Sequence, residues 1–187
     1  MHPDALKWNQ RYAERPLQAP ARPEVWAELQ SWLPQPVANA LDIAAGEGAA
    51  SLPLAQAGWQ LTAVDIADQG LQRLQHFAQE QALQLSTQVV DLNQPDQLPA
   101  GPFALILILR YLPAAELWPA LAARLAPQGR LLFCTFNQQA QMNPRFCLQP
   151  GQYRQQFPSL SLLHAGPCTS QPQLDLYVWQ APNAAPR

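Results

Sequence analysis

Three aspartates, one glutamate and two glycines are spaced so as to surround a small ligand. Asp42 is followed by Gly46, Glu47 and Gly48, and Asp65 and Asp91 come later in the chain. Glycines let the backbone approach a ligand closely. A loop of this kind between a strand and a helix has two candidate ligands. A dinucleotide asks for Gly-x-Gly-x-x-Gly/Ala, but the third position here is Ser51. Its pyrophosphate would also lie beside the carboxylates of Asp42 and Glu47, which opposes binding. A ligand with a positive centre is favoured by the same carboxylates. S-adenosyl-L-methionine, with an ammonium, a sulfonium and no phosphate, is such a ligand. A tight strand-to-helix turn without any ligand is the third possibility.

Asp65 ends a strand, where a carboxylate can accept ribose hydroxyls. Asp68 is the better cap for the helix that follows. Asp91 suits the adenine amino group, and equally a turn before Asn93 and Pro95. The three histidines, His2, His76 and His164, make no metal-ligand spacing. No metal is expected. No general base stands out either, which favours a soft nucleophile (a thiol, selenium or tellurium) as acceptor. Cys134, Cys147 and Cys168 form no Cys-x-x-Cys pair, so a reducing compartment is expected.

These residues must be positioned by alternating strands and helices. Apolar spacing predicts a helix over Glu24 to Leu33, a strand over 40–44, a short helix over 50–57 and a strand over 60–64. A helix over 68–83 and a strand over 86–90 follow. Phe103 to Leu109 has no polar face, as expected of a central parallel strand covered on both sides. A helix over 117–125, a strand over 129–136 and two weaker strands over 160–163 and 174–179 complete the series. The pattern is α/β: a single-domain doubly wound, Rossmann-like, mostly parallel sheet of about seven strands with an antiparallel edge strand. The expected divisions are a helical cap over 1–36, a cofactor half over 37–110 and a substrate half over 111–180. Ligands in such sheets bind at the carboxyl ends of the strands. That selects Asp42 to Gly48, Asp65 with Ile66, Asp91 with Leu92, and Leu109, Arg110 and Tyr111.

The chain has 187 residues, of which 48% are hydrophobic and only 13% charged, with a net charge of -2. Its polar surface rests on 26 glutamines, and Lys7 is the one lysine. No basic field recruits nucleic acid or an anionic membrane. No apolar stretch is long enough to span a bilayer. A cytoplasmic monomer or weak dimer acting on a small molecule is expected.

Taken together, Asp42-x-x-x-Gly46-x-Gly48, Asp65, Asp91-Leu92 and the strand Phe103 to Leu109 resemble the class I S-adenosylmethionine-dependent methyltransferases. Trp8-Asn9-Gln10-Arg11-Tyr12 is similar to the Trp-x-x-Arg-Tyr that opens many of them. Arg110-Tyr111-Leu112, Leu125-Ala-Pro-Gln-Gly129 and Asn143-Pro144-Arg145-Phe146 resemble the small bacterial tellurite-resistance subgroup. The resemblance implies a cofactor site at Arg11, Asp42, Ala44, Gly46, Gly48, Asp65, Ile66, Asp91, Leu92, Leu109 and Arg110. Tyr12, Tyr111, Phe136 and Arg145 are candidates for the substrate side, with Tyr111 and Arg145 as the catalytic residues. Arg145 is the only charge of the long loop from Asn137 to Gly151, which leaves the fifth strand at the ligand-bearing edge and is expected to cover the acceptor; an exposed arginine on a connector is the alternative. Ala44 stands where the family has its first loop glycine, a replacement that is tolerable if φ stays negative there. Ala104 replaces an acidic residue used in metal-dependent members, so catechol chemistry is not expected. A non-catalytic S-adenosylmethionine-binding protein and an NAD-dependent oxidoreductase remain as alternatives.

Overall fold

The computed structural model describes residues 2–184. Seven strands form one sheet: β1 (Asn39–Ile43), β2 (Gln60–Asp65), β3 (Ser86–Val89), β4 (Phe103–Leu109), β5 (Leu125–Phe136), β6 (Ser161–Pro167) and β7 (Leu174–Gln180). Their spatial order is β3-β2-β1-β4-β5-β7-β6. The first five run parallel to one another, and β7 runs antiparallel between β5 and β6. Chain order reverses between β1 and β4, which is where doubly wound sheets bind ligands.

Five helices cover the sheet: α1 (Pro3–Ala13), α2 (Trp26–Ser31), α3 (Ser51–Gln56), α4 (Asp68–Glu80) and α5 (Leu117–Ala122). The two-residue alternation of β4 decides which helices it meets. Ile106 and Ile108 pack with Leu117, Trp118 and Leu121 of α5. Leu105 and Leu107 pack with Trp26 and Leu29 of α2 and Leu54 of α3. Both faces are apolar because both are covered. In α4, Leu71, Leu74, Phe77 and Ala78 form the apolar stripe against Ala63 of β2.

Three expected elements differ in their bounds. The helix foreseen over 117–125 ends at Ala122, because the Phe103 N–H is taken by the Arg124 carbonyl at 2.7 Å and Leu125 pairs with Phe103. The fifth strand therefore begins four residues early, with an irregularity between Phe103 and Leu105 and Gln128 at φ +60°. The sixth strand extends to Pro167, drawn out by its ladder with β7. Among the described residues no helix is long and apolar enough to cross a membrane.

Candidate active site

At the carboxyl ends of β1 to β4, a cavity of about 310 Å³ is lined by the loop Ala44–Glu47, Asp65 and Ile66, Asp91 to Asn93, Leu109 to Tyr111, and Asp4, Trp8, Tyr12 and Arg15. A smaller depression of about 210 Å³ adjoins it through Ala44, Ala45, Ala49, Leu109 and Arg110, and continues to Arg22, Glu24 and Asp42.

The loop after β1 is built by two residues in the left-handed region, Ala44 at φ +56° and Gly46 at φ +56°. The negative φ that would make Ala44 readily tolerable is not found. An alanine pays of order 1–2 kcal/mol there, and neighbouring hydrogen bonds hold it. The Ala45 N–H donates to the Val64 carbonyl at 3.0 Å, and the Gly48 N–H donates to the Ala45 carbonyl at 3.0 Å. The Gly46 N–H donates to Asp65 Oδ2 at 2.8 Å. A Cβ on Gly46 would run into the Tyr12 hydroxyl, and one on Gly48 would run into Leu74. Gly46 therefore gives α1 its close approach, while Gly48 lets α4 pack and does not line the cavity.

Asp65 is only 7% exposed. Its Oδ1 accepts the Ala67 N–H at 2.8 Å, so each oxygen is anchored by one backbone donor and keeps capacity for another. Burial raises its pKa, against the lowering effect of those N–H bonds. Asp42 is 2% exposed and accepts from Ser51 Oγ at 2.6 Å. Desolvation pushes its pKa up to about 7. It lies beneath the loop, walling the smaller depression rather than the main cavity. Asp91 is half-buried and held below the usual carboxylate range, first by the Asn93 N–H at 3.0 Å. Burial, then Asp65, pushes the Tyr12 hydroxyl up to about 12; burial, then Asp91, does the same at Tyr111.

Glu47 is not the isolated anion that the sequence suggests. It accepts from Arg15 Nη1 at 2.6 Å and Arg73 Nε at 2.8 Å. Arg73 also reaches the Pro16 carbonyl at 2.6 Å and the Arg15 carbonyl at 3.3 Å, strapping the segment after α1 onto the loop. Arg110, at φ +56°, pairs with Glu24 at 2.6 Å.

Ala44, Gly46, Asp65, Ile66, Asp91, Leu92, Leu109, Arg110 and Tyr111 are thus gathered on one cavity. Arg11 is not; it lies over the Trp8 ring at 4.7 Å, and Arg15 one turn later lines the cavity instead. Arg145 is exposed in a short 3-10 turn, Pro144–Phe146, and lies 4.5 Å from the Phe146 ring centroid. It lines neither cavity, because that turn leaves its side chain at the surface. Tyr12, which the sequence puts on the substrate side, does line the cavity. Arg15, Arg73 and Glu24 carry no local signal in the sequence, because their partners are distant along the chain. Among the described residues no group of three metal-ligating side chains comes together.

A family model described as a methyltransferase domain matches residues 40–129. The ubiquinone biosynthesis O-methyltransferase of Caulobacter sp. (strain K31) is 31% identical over 101 residues, which is 52% of this chain and 40% of that protein. The chain therefore matches well under half the length of that relative. The N-methyltransferase NodS from Bradyrhizobium japonicum WM9, solved with S-adenosyl-L-homocysteine, has a TM-score of 0.75 over 96% of this chain and 98% of that one, at 18% identity. TehB from Haemophilus influenzae has a TM-score of 0.70 over 93% and 67%, at 11% identity. At these identities the structural likeness is one of fold.

Proposed function

We propose that this chain is a class I S-adenosylmethionine-dependent methyltransferase, transferring a methyl group from S-adenosyl-L-methionine to a small-molecule acceptor. One observation carries the reading. The N–H groups of Ala45, Gly46 and Gly48 are all used within the protein. A phosphate cradle needs such donors turned outward, so the loop suits a ligand without phosphates. That supports S-adenosyl-L-methionine over a dinucleotide more firmly than the charge of Glu47, which two arginines offset.

The donor set fits the cofactor. Asp65 would accept from the ribose, with Ile66 and Leu92 flanking the adenine and Asp91 accepting its amino group. The smaller depression would take the amino-acid end, with Glu24 and Asp42 toward the ammonium and Arg110 toward the carboxylate. When bound, the cofactor supplies a methyl group on a positively charged sulfur. The residues orient it and keep water away; Tyr12 and Trp8 of α1 form the covering wall.

The acceptor is proposed to be a soft nucleophile. Tyr12 and Tyr111, raised to about 12, keep their protons at neutral pH. Asp91 is a weak base, being held below its usual range. No imidazole lines the cavity among the described residues. An acceptor that ionises without help, such as a thiol, meets those conditions. Calorimetry with S-adenosyl-L-homocysteine and with NADH tests the cofactor, and transfer of labelled methyl from S-adenosyl-L-methionine to thiols tests the reaction. Binding of NADH alone would overturn the reading.

A further inference from the structure

A second polar cavity, about 290 Å³, opens at the same edge of the sheet over β5, β7 and β6, and shares no lining residue with the first. Two opposite charges line it. Asp175 on β7 is 9% exposed, and its Oδ1 accepts from Asn137 Nδ2 at 2.7 Å. Its Oδ2 has no hydrogen-bond donor among the described residues. Arg154 donates from Nη2 to the Ala165 carbonyl at 3.0 Å. Its remaining N–H groups meet no protein acceptor among the described residues. Both line the cavity together with Tyr177, yet no ion pair joins them.

A nine-tenths buried carboxylate with a spare acceptor site calls for a donor, preferably a cation. A guanidinium with spare donors calls for a carboxylate. A group bearing an ammonium and a carboxylate on one carbon satisfies both. Gln138 and Gln139 on the same wall offer amide partners for peptide groups. The distance limits the ligand further. One strand, β5, separates β4 from β7, so the two sites are about two strand spacings apart, roughly 10 Å. A free amino acid is too short to reach from one to the other. About three extended residues, at about 3.3–3.6 Å each, span the gap.

We propose that this cavity receives the α-amino-acid head of a short peptide thiol whose sulfur reaches the first cavity. The proposal rests on the methyltransferase reading above and names its acceptor class. Asn137 holds the Asp175 carboxylate in place, and Ala165 does the same for the Arg154 guanidinium.

The test is calorimetric titration with glutathione, with and without saturating S-adenosyl-L-homocysteine. Binding is expected, weakened at least about tenfold by Asp175→Asn and by Arg154→Gln. N-acetylated glutathione, which lacks the ammonium, should bind as weakly as glutathione binds to the Asp175 variant. Both variants should keep wild-type affinity for S-adenosyl-L-homocysteine, which also reports an intact fold. Failure of glutathione to bind the wild type, or equal binding to either variant, overturns the assignment. Failure of S-adenosyl-L-homocysteine to bind the wild type overturns the methyltransferase reading instead.

Discussion

Asp65 accepts the Gly46 N–H at 2.8 Å, so the carboxylate that ends β2 and the glycine loop that follows β1 are fastened to each other. The same carboxylate also accepts from Ala67. It shapes the cavity before any ligand enters.

Asp65→Ala should therefore weaken S-adenosyl-L-homocysteine binding by roughly 2–4 kcal/mol, through lost charge-assisted bonds to the ribose and a loosened loop. Titration calorimetry reads this directly. Unchanged affinity would put the adenosyl end elsewhere.

Gly46 and Tyr12 should be energetically coupled. Gly46→Ala places a methyl group against the Tyr12 hydroxyl and strains a left-handed backbone. Tyr12→Phe removes the hydroxyl and leaves the nearest ring carbon at 3.3 Å. The double variant should be less destabilised than the two single changes added together, with a coupling of about 0.5–3 kcal/mol in denaturant melts. Simple additivity would mean that α1 does not sit on the loop in solution.

Asp42 should set a pH dependence. Its pKa rises from 3.8 unfolded to about 7 folded because burial disfavours the anion. The folded state then binds the extra proton between those values. The stabilisation is complete below about pH 4 and is lost as pH rises through about 7. Asp42→Asn should flatten the decline of the melting midpoint across that window. A wild-type midpoint that rises steadily from pH 4 to 7, with an identical rise in Asp42→Asn, would show that Asp42 ionises normally.

Glu24 should matter only to the amino-acid end of the cofactor. Glu24→Gln is expected to weaken S-adenosyl-L-homocysteine about fivefold or more, while 5′-methylthioadenosine, which lacks that end, binds as before. Equal loss for both ligands would assign Glu24 a structural role through Arg110.

The residues that line the cavity from strand ends were legible in the sequence. Gly46 and Asp65 announce themselves by residue type and by their place after β1 and at the end of β2, whereas Gly48, singled out with them, packs against Leu74 instead. The apolar run of β4 likewise marked a central strand. Ala44 was misjudged because a left-handed alanine is held by tertiary hydrogen bonds that no local rule reports. The same holds for Glu47: its partners lie 32 and 26 residues away. Arg145 drew attention as the lone charge of its loop. Arg154, nine positions on, is instead the arginine that lines a cavity, and what identifies it is Asp175 on a strand that the sequence marked only weakly.

The Arg73 strap bears on rates. Arg73 binds Glu47 on the cavity wall and two backbone carbonyls of the segment after α1, so loop and segment separate only if a shared guanidinium lets go. Departure of a spent cofactor would wait for that rupture rather than for its own contacts. Because Arg73 and Glu47 are only 12% and 14% exposed, added electrolyte barely screens the clasp. Stopped-flow displacement of S-adenosyl-L-homocysteine should then change little with ionic strength but speed up in Arg73→Gln, and turnover limited by product escape should speed up with it.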